Sequence, residues 1–205
     1  NFERAQQQIE REALKERVQR SVDAGIEIVR HTARVFGNRF RDIPEIGALL
    51  DELWRDYSSD CIDDADTPRA ADIDCKYSNV WGADPSNRTN VALIVFGVIA
   101  ETLGTSSQPI LEKFIPAILN CAFKAEDEFR REIATETFVK AIKVFPGYTL
   151  SCLTNTVPSI LGAANSAEDD CFKRVGALRL VAEAANRSRT HMLPYAGILT
   201  LPTLA

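Results

Sequence analysis

Catalysis needs a nucleophile, a base and a charge stabiliser that converge on one point, and the residue types that supply them are thinly spread in this chain. The two histidines, His31 and His191, lie 160 positions apart, and neither sits in a carboxylate or serine pattern that would make it a general base. No phosphate-cradling glycine loop, G-x-S-x-G elbow, H-E-x-x-H helix or dinucleotide-binding glycine pattern occurs. Cys61, Cys75, Cys121, Cys152 and Cys171 are odd in number and scattered, with no C-x-x-C pair. That argues against a zinc site or a disulfide framework and favours a reducing compartment, cytosol or nucleus. Cys171 stands beside Lys173 and Arg174, whose charges would favour a thiolate. A small buried side chain is the more economical reading, because free cysteine is usually buried.

Asp64-Ala-Asp66 opens like a calcium loop, but the sixth position lacks glycine and the twelfth lacks glutamate. Arg30, Arg34, Arg39 and Arg41 form a basic cluster that Glu27, Asp42 and Glu45 dilute. The net charge of −5 also opposes nucleic-acid binding. Asn87-Arg-Thr and Asn186-Arg-Ser match the loose glycosylation pattern and do not overturn the intracellular reading. The expectation is a non-catalytic protein with no metal, no cofactor and no small-molecule substrate.

The elements follow from periodicity. Lys113-Phe-Ile-Pro116-Ala-Ile-Leu119 recurs as Asn155-Thr-Val-Pro158-Ser-Ile-Leu161, and Ala125-Glu-Asp127 recurs as Ala167-Glu-Asp169, both displaced by 42 residues. Phe129-Arg-Arg131 returns as Phe172-Lys-Arg174 one residue later, and a third copy begins at His191-Met-Leu-Pro194. In the first copy Ser107 is placed to cap a helix with Pro109 in its first turn, giving a helix near 108–124. Glu126 and Asp127 then supply acidic caps for a second helix with the stripe Phe129, Ile133, Thr137, Phe138, Ala141 and Ile142, stopped by Pro146-Gly147. The next pair reads as 150–164 and 169–186, with Phe138 and Val181 on equivalent buried faces. Ala134 and Ala177 fall at matching places where helices approach closely.

Ala92, within the ten-residue apolar run Val91–Ala100, aligns with those alanines and makes residues 88–104 a preceding second helix ended by Gly104. Periodicity alone leaves a buried strand open for 91–100. If helical, this segment is apolar all round and needs covering from the first half of the chain. The run is about half of what a bilayer span requires, so no membrane span is expected.

In that first half, Ile9, Leu14, Val18, Val22, Ile26, Val29, Ala33 and Phe36 step at helical spacing, as one long helix over 4–36 or two joined near Gly25, stopped by Gly37. Pro44 opens another helix, with Ile46, Leu49, Leu50, Leu53 and Trp54 on one face, that runs to about Tyr57. Residues 1–57 thus form a helical hairpin, 58–87 an insert, and 88–205 the repeats. The insert holds Asp60, Asp63, Asp64, Asp66, Asp72, Asp74 and Asp84 against only Arg69 and Lys76. Mutual repulsion and scarce apolar groups predict a mobile acidic loop. An initial Asn in place of Met and an end inside an apolar stretch make the chain read as an excerpt of something longer.

At these residues the chain resembles HEAT repeats, which pair a proline-bearing first helix with a basic, Ala-containing second helix across an acidic turn. The resemblance covers 88–205 and, more weakly, 1–57. Val95-Phe-Gly-Val-Ile-Ala-Glu-Thr-Leu-Gly104 is also similar to second helices of importin-beta-type receptors. What the resemblance implies is an all-α solenoid of antiparallel helix pairs that binds other proteins, in the cytosol or nucleus. A nuclear transport receptor is its first specific form, and a regulatory subunit that positions an enzyme or a tubulin-like polymer is the second. Stacked second helices would present Glu132, Glu136 and Lys140 as a ridge, with Arg179 and Glu183 beside Glu136 and Lys140. Asp63, Asp64, Asp66, Asp72 and Asp74 form a second candidate surface, for basic partners.

Overall fold

Helix is what this sequence makes at nearly every described position. The structure is a computed structural model that describes residues 2–61, 85–124, 128–162 and 168–200, and among them only Ile43, Phe145 and Ser188 stand outside a helical segment. The first half holds α1 (Phe2–Phe36), a 3-10 turn (Gly37–Asp42) and α2 (Pro44–Cys61). Next come α3 (Pro85–Leu103), a 3-10 turn (Gly104–Ser107), α4 (Gln108–Leu111), another 3-10 turn (Glu112–Phe114), α5 (Ile115–Lys124) and α6 (Glu128–Val144). The chain continues as α7 (Pro146–Gly162), α8 (Glu168–Arg187), α9 (Arg189–Met192), a 3-10 turn (Leu193–Tyr195) and α10 (Ala196–Thr200). Residues 91–100 lie within α3, so the strand alternative falls. The Asp-rich segment beyond Cys61 lies outside the described residues, as do the acidic turn residues Glu126 and Asp127.

Two series of contacts organise these helices. α1, α3, α6 and α8 pack in succession, α2, α5, α7 and α10 pack in succession, and cross-contacts join α2 to α3, α5 to α6 and α7 to α8. Between α3 and α6, Arg130 donates to Asn90, the Thr137 hydroxyl donates to the Leu93 carbonyl, and Lys140 meets Glu101. Partners advance together along both helices, so α3 and α6 run in the same direction. The hydrogen-bonded partners are 40 and 44 residues apart, which brackets the 42-residue displacement of the repeated motifs. Asn38 bonds Ser106 just beyond the ends of α1 and α3, and Arg30 and Arg34 lie against Glu101 and Thr102. α1 therefore also runs alongside α3 with matching C-terminal ends.

α3 is the centre of the core. Ala92, Leu93, Phe96, Ile99 and Ala100 have no accessible surface, and α1, α2 and α6 pack around them. The Phe96 and Phe114 rings stack with centroids 4.3 Å apart, and Phe40, Phe123 and Phe138 are fully buried nearby. By length and composition the stretch Asn90–Phe123 is apolar enough to cross a membrane, yet over half of its most apolar window is buried inside the protein.

Several local expectations are corrected. Ser107 does not cap α4; it is buried, and its hydroxyl closes the preceding turn by donating to the Gly104 carbonyl at 2.7 Å. The helix expected over 108–124 is broken by a 3-10 turn at Glu112–Phe114, where Pro116 has no N–H for the Glu112 carbonyl, although the aligned Pro158 stays inside α7. Ile115 donates to that carbonyl instead, which tightens the chain into a 3-10 turn. Pro146 opens α7 rather than standing in a loop, with only Phe145 between helices, so the helix expected from 150 starts at Pro146. α2 continues past Tyr57 to Cys61.

The exposed aromatic Phe129, at 59%, is not part of the α6 core stripe. Instead α6 buries Ala134, Thr137, Phe138, Val139, Ala141 and Ile142, because α3, α5, α7 and α8 surround it. α1 is continuous through Gly25, but of its stripe only Val29 and Ala33 are buried, while Ile9, Leu14 and the terminal Phe36 are exposed. Val181 is half-buried, and Leu180 is the fully buried residue of that turn.

Two glycines do what larger residues would prevent. Gly37 and Gly104 take positive φ angles of 51° and 59° where α1 and α3 end. Gly176 serves a different purpose: a Cβ there would lie 3.2 Å from the Ala122 carbonyl oxygen and 3.4 Å from Phe123 backbone atoms, so α8 rests directly on the α5 backbone. Gly25 is exposed with nothing near its missing Cβ.

Two denaturation experiments check this packing. Phe138→Ala and Leu180→Ala should each cost about 2 to 5 kcal/mol by cavity formation, whereas half-buried Val181→Ala should cost about 1 kcal/mol. Equal losses at Leu180 and Val181 would contradict the packing. Gly25→Ala should stabilise by about 0.5 to 1 kcal/mol, because only helix propensity changes. Gly176→Ala should instead destabilise, and a common sign for the two glycines would refute the close approach of α8 to α5.

Candidate functional site

The ridge begins with a missing side chain. At Gly97 a Cβ would come within 3.1 Å of the Thr137 hydroxyl and 3.6 Å of Lys140 Cδ, so the absence of one lets the Lys140 stem cross the face of α3. Its ammonium then stands 3.5 Å from Glu101 on α3 and 3.1 Å from Glu136 one turn back on α6. Arg179 reaches from α8 to Glu132 at 3.6 Å, and Glu183 pairs with Arg187 on its own helix at 3.0 Å. Carboxylates and cations therefore alternate across α3, α6 and α8. On the α1 side the series continues into a small recess of about 290 Å³ lined by Arg30, Arg34, Glu101 and Thr102.

All five residues expected on the ridge take part, but their pairing differs from expectation. Arg179 meets Glu132 rather than Glu136, and Glu183 meets Arg187 rather than lying beside Lys140 as a partner. Glu101, Arg187, Arg30 and Arg34 belong to the surface and were not anticipated in it. Glu101 carried a signal, as the one charged residue in the apolar half of α3. Energetically these are exposed pairs, each contributing about 0 to 1 kcal/mol, so the ridge is not what holds the fold together.

On the other series of helices, Pro116, Ala117, Leu119, Asn120, Cys152, Asn155 and Thr156 line an open groove of about 490 Å³ between α5 and α7. It holds no ionised group. Desolvation pushes the Cys152 thiol above its ordinary pKa, and nearby Glu112 adds to this, while a hydrogen bond from Tyr148 works the other way. The Tyr148 hydroxyl is likewise raised, first by burial and then by Cys152. This environment suppresses the thiolate that a nucleophile would need.

The remaining sequence candidates are dispersed. His31 and His191 are exposed on α1 and α9, and Cys121 is buried. Asp63, Asp64, Asp66, Asp72 and Asp74 lie outside the described residues, and nothing is described of the Cys171 side chain. Among the described residues no group of three or more His, Cys, Asp or Glu is arranged to hold a metal ion. No known family, curated protein or solved structure matches the chain significantly.

The thiol environment sets a pH dependence. The folded pKa of Cys152 is raised, so its proton contributes stability below the unfolded thiol pKa, and that contribution is lost as pH rises through the folded value. Alkylation of Cys152, followed by peptide mass spectrometry, should reach half its maximal rate at a higher pH than the same residue in denatured protein. A coincident or lower midpoint would refute the desolvated environment.

Proposed function

We propose that this chain is a non-catalytic protein-interaction scaffold of the HEAT type, whose partner-binding surface is the alternating charge ridge on α3, α6 and α8. The observation that carries this reading is the parallel packing of α3 and α6, with bonded partners 40 and 44 residues apart. A sequence period that becomes a spatial translation is the basis of a solenoid, and stacking then places equivalent surface residues side by side. The two series of contacts fit such a pair of layers. Ridge charges add little to stability, so their ordered alternation is better accounted for by recognition of another protein than by folding.

In its specific form the proposal is a transport-receptor-like scaffold of the cytosol or nucleus, with the Asp-rich segment around Asp63, Asp64, Asp66, Asp72 and Asp74 as an auxiliary surface for basic partners. Nothing in the ridge provides a nucleophile or base beside a recess that excludes water, which is what a catalytic reading would need.

The experiment uses a fluorescent basic nuclear-import-signal peptide and measures its anisotropy with the intact chain at two ionic strengths. Reversing Glu136, Lys140 and Arg179 together should weaken binding about fivefold or more, corresponding to roughly 1 kcal/mol at this surface. Removing residues 62–84 should flatten the dependence on salt. No binding by the intact chain would defeat the transport-receptor form. Binding unaffected by either change, with helicity intact, would show that neither surface is the site.

A further inference from the structure

Threonines within helices usually return their hydroxyls to the backbone. Here Thr32, Thr135, Thr149, Thr154 and Thr156 each donate to the carbonyl four residues back, and Thr137 donates across to Leu93. Thr102, in the last turn of α3, does neither and has no hydrogen-bond partner among the described residues. It lines the recess of about 290 Å³ that it shares with Glu101 and, from α1, Arg30 and Arg34.

Every residue lining this recess is polar, and pairing leaves part of the set unused. Arg30 is held by Glu27 on its own helix. Glu101 lines the same recess yet makes no ion pair with either arginine, and stands instead 3.5 Å from Lys140 of α6. Arg34 has no partner among the described residues. The two arginines are four residues apart and so share one face of α1. The negative end of the α1 dipole accounts for Arg34 in the last turn. It gives no reason for a second cation on that face, opening onto an unpartnered hydroxyl of the neighbouring helix. Both walls of the recess belong to helices that pack on each other within this chain.

We infer that the recess is a binding site for a phosphate monoester, carried on a phosphorylated serine or threonine of a partner protein. Such a group presents three strong acceptor oxygens and close to two negative charges. Two guanidinium forks from α1 and a hydroxyl from α3 supply donors to match them. A carboxylate, with two oxygens and a single charge, would leave one of these donor groups unused. Glu101 is the one acceptor side chain in the lining, and it calls for a donor on the ligand beside the anion. The backbone N–H groups of a peptide provide that donor, and a free phosphate dianion does not. The site needs neither the solenoid nor the import-signal reading, and its failure would leave both standing.

Calorimetric titration of the intact chain with an end-blocked, alanine-flanked phosphoserine peptide tests the inference. It should bind about tenfold or more tighter than its unphosphorylated twin and than inorganic phosphate. Arg34→Gln and Thr102→Val should each weaken the phosphopeptide about threefold or more, through loss of a charge-assisted hydrogen bond. Lys143→Gln removes another exposed cation, from α6, and should leave affinity unchanged. In NMR spectra the Nε–H signals of Arg30 and Arg34 should move on titration while that of Arg179 stays in place. If Arg34→Gln lowers the helical circular dichroism signal, Arg34→Lys keeps the charge without the fork and should still bind more weakly. Equal affinity for the two peptides overturns the inference, as does an equal loss in Lys143→Gln or full affinity in the Arg34 variants. Inorganic phosphate that binds as tightly as the phosphopeptide overturns the assignment to a partner protein.

Discussion

Over Val91–Ala100 α3 is apolar around its whole circumference, and a helical stretch of that kind persists in water only if other elements cover it. The architecture can be read as the means of covering. α1, α2 and α6 all pack against it, while Phe114 beyond α4 stacks on Phe96. Once α6 is committed to α3, its own remaining sides need neighbours, and α5, α7 and α8 supply them. Burial thus propagates along the chain, and it ends at α8 and α1, where the outward faces still carry Val175, Leu178, Ile28 and Val35.

Apolar packing and paired charge are assigned to different faces of the same helices. The inward faces carry phenylalanine, leucine, isoleucine and alanine in close contact, where one lost side chain costs kilocalories. The outward faces carry paired charges whose removal costs little. Gly97 connects the two. Its missing side chain admits Thr137, whose hydroxyl bonds the Leu93 carbonyl in the buried seam, and the same space carries the Lys140 stem outward to Glu101. Core packing therefore fixes where the ridge charges stand.

Much of the fold was legible because helix periodicity and chain breakers are local properties. The apolar steps of α2 and α6, the prolines that open α2 and α4, and the glycines that end α1 and α3 all act within a few residues. Expectations failed where the answer depended on a neighbour. Ser107 looks like a cap until the 3-10 turn before it offers the Gly104 carbonyl. Phe129 belongs to an apolar period yet stays mostly exposed near the start of α6. Val181 and Leu180 are equally apolar, and only the placement of α8 against its neighbours decides which one is buried.

The sequence by itself determined that the described segments are helical and roughly where α1, α2, α3, α6 and α8 begin, because each follows from steric limits and apolar spacing along the backbone. Tertiary structure alone decided the pairing of charges. Arg179 goes to Glu132 and Lys140 to Glu101 because the packing of the buried faces sets which side chains come within reach across neighbouring helices, with Gly176 letting α8 rest on the α5 backbone. That placement is set by the summed contacts of many buried residues at once, a quantity no short window of sequence contains.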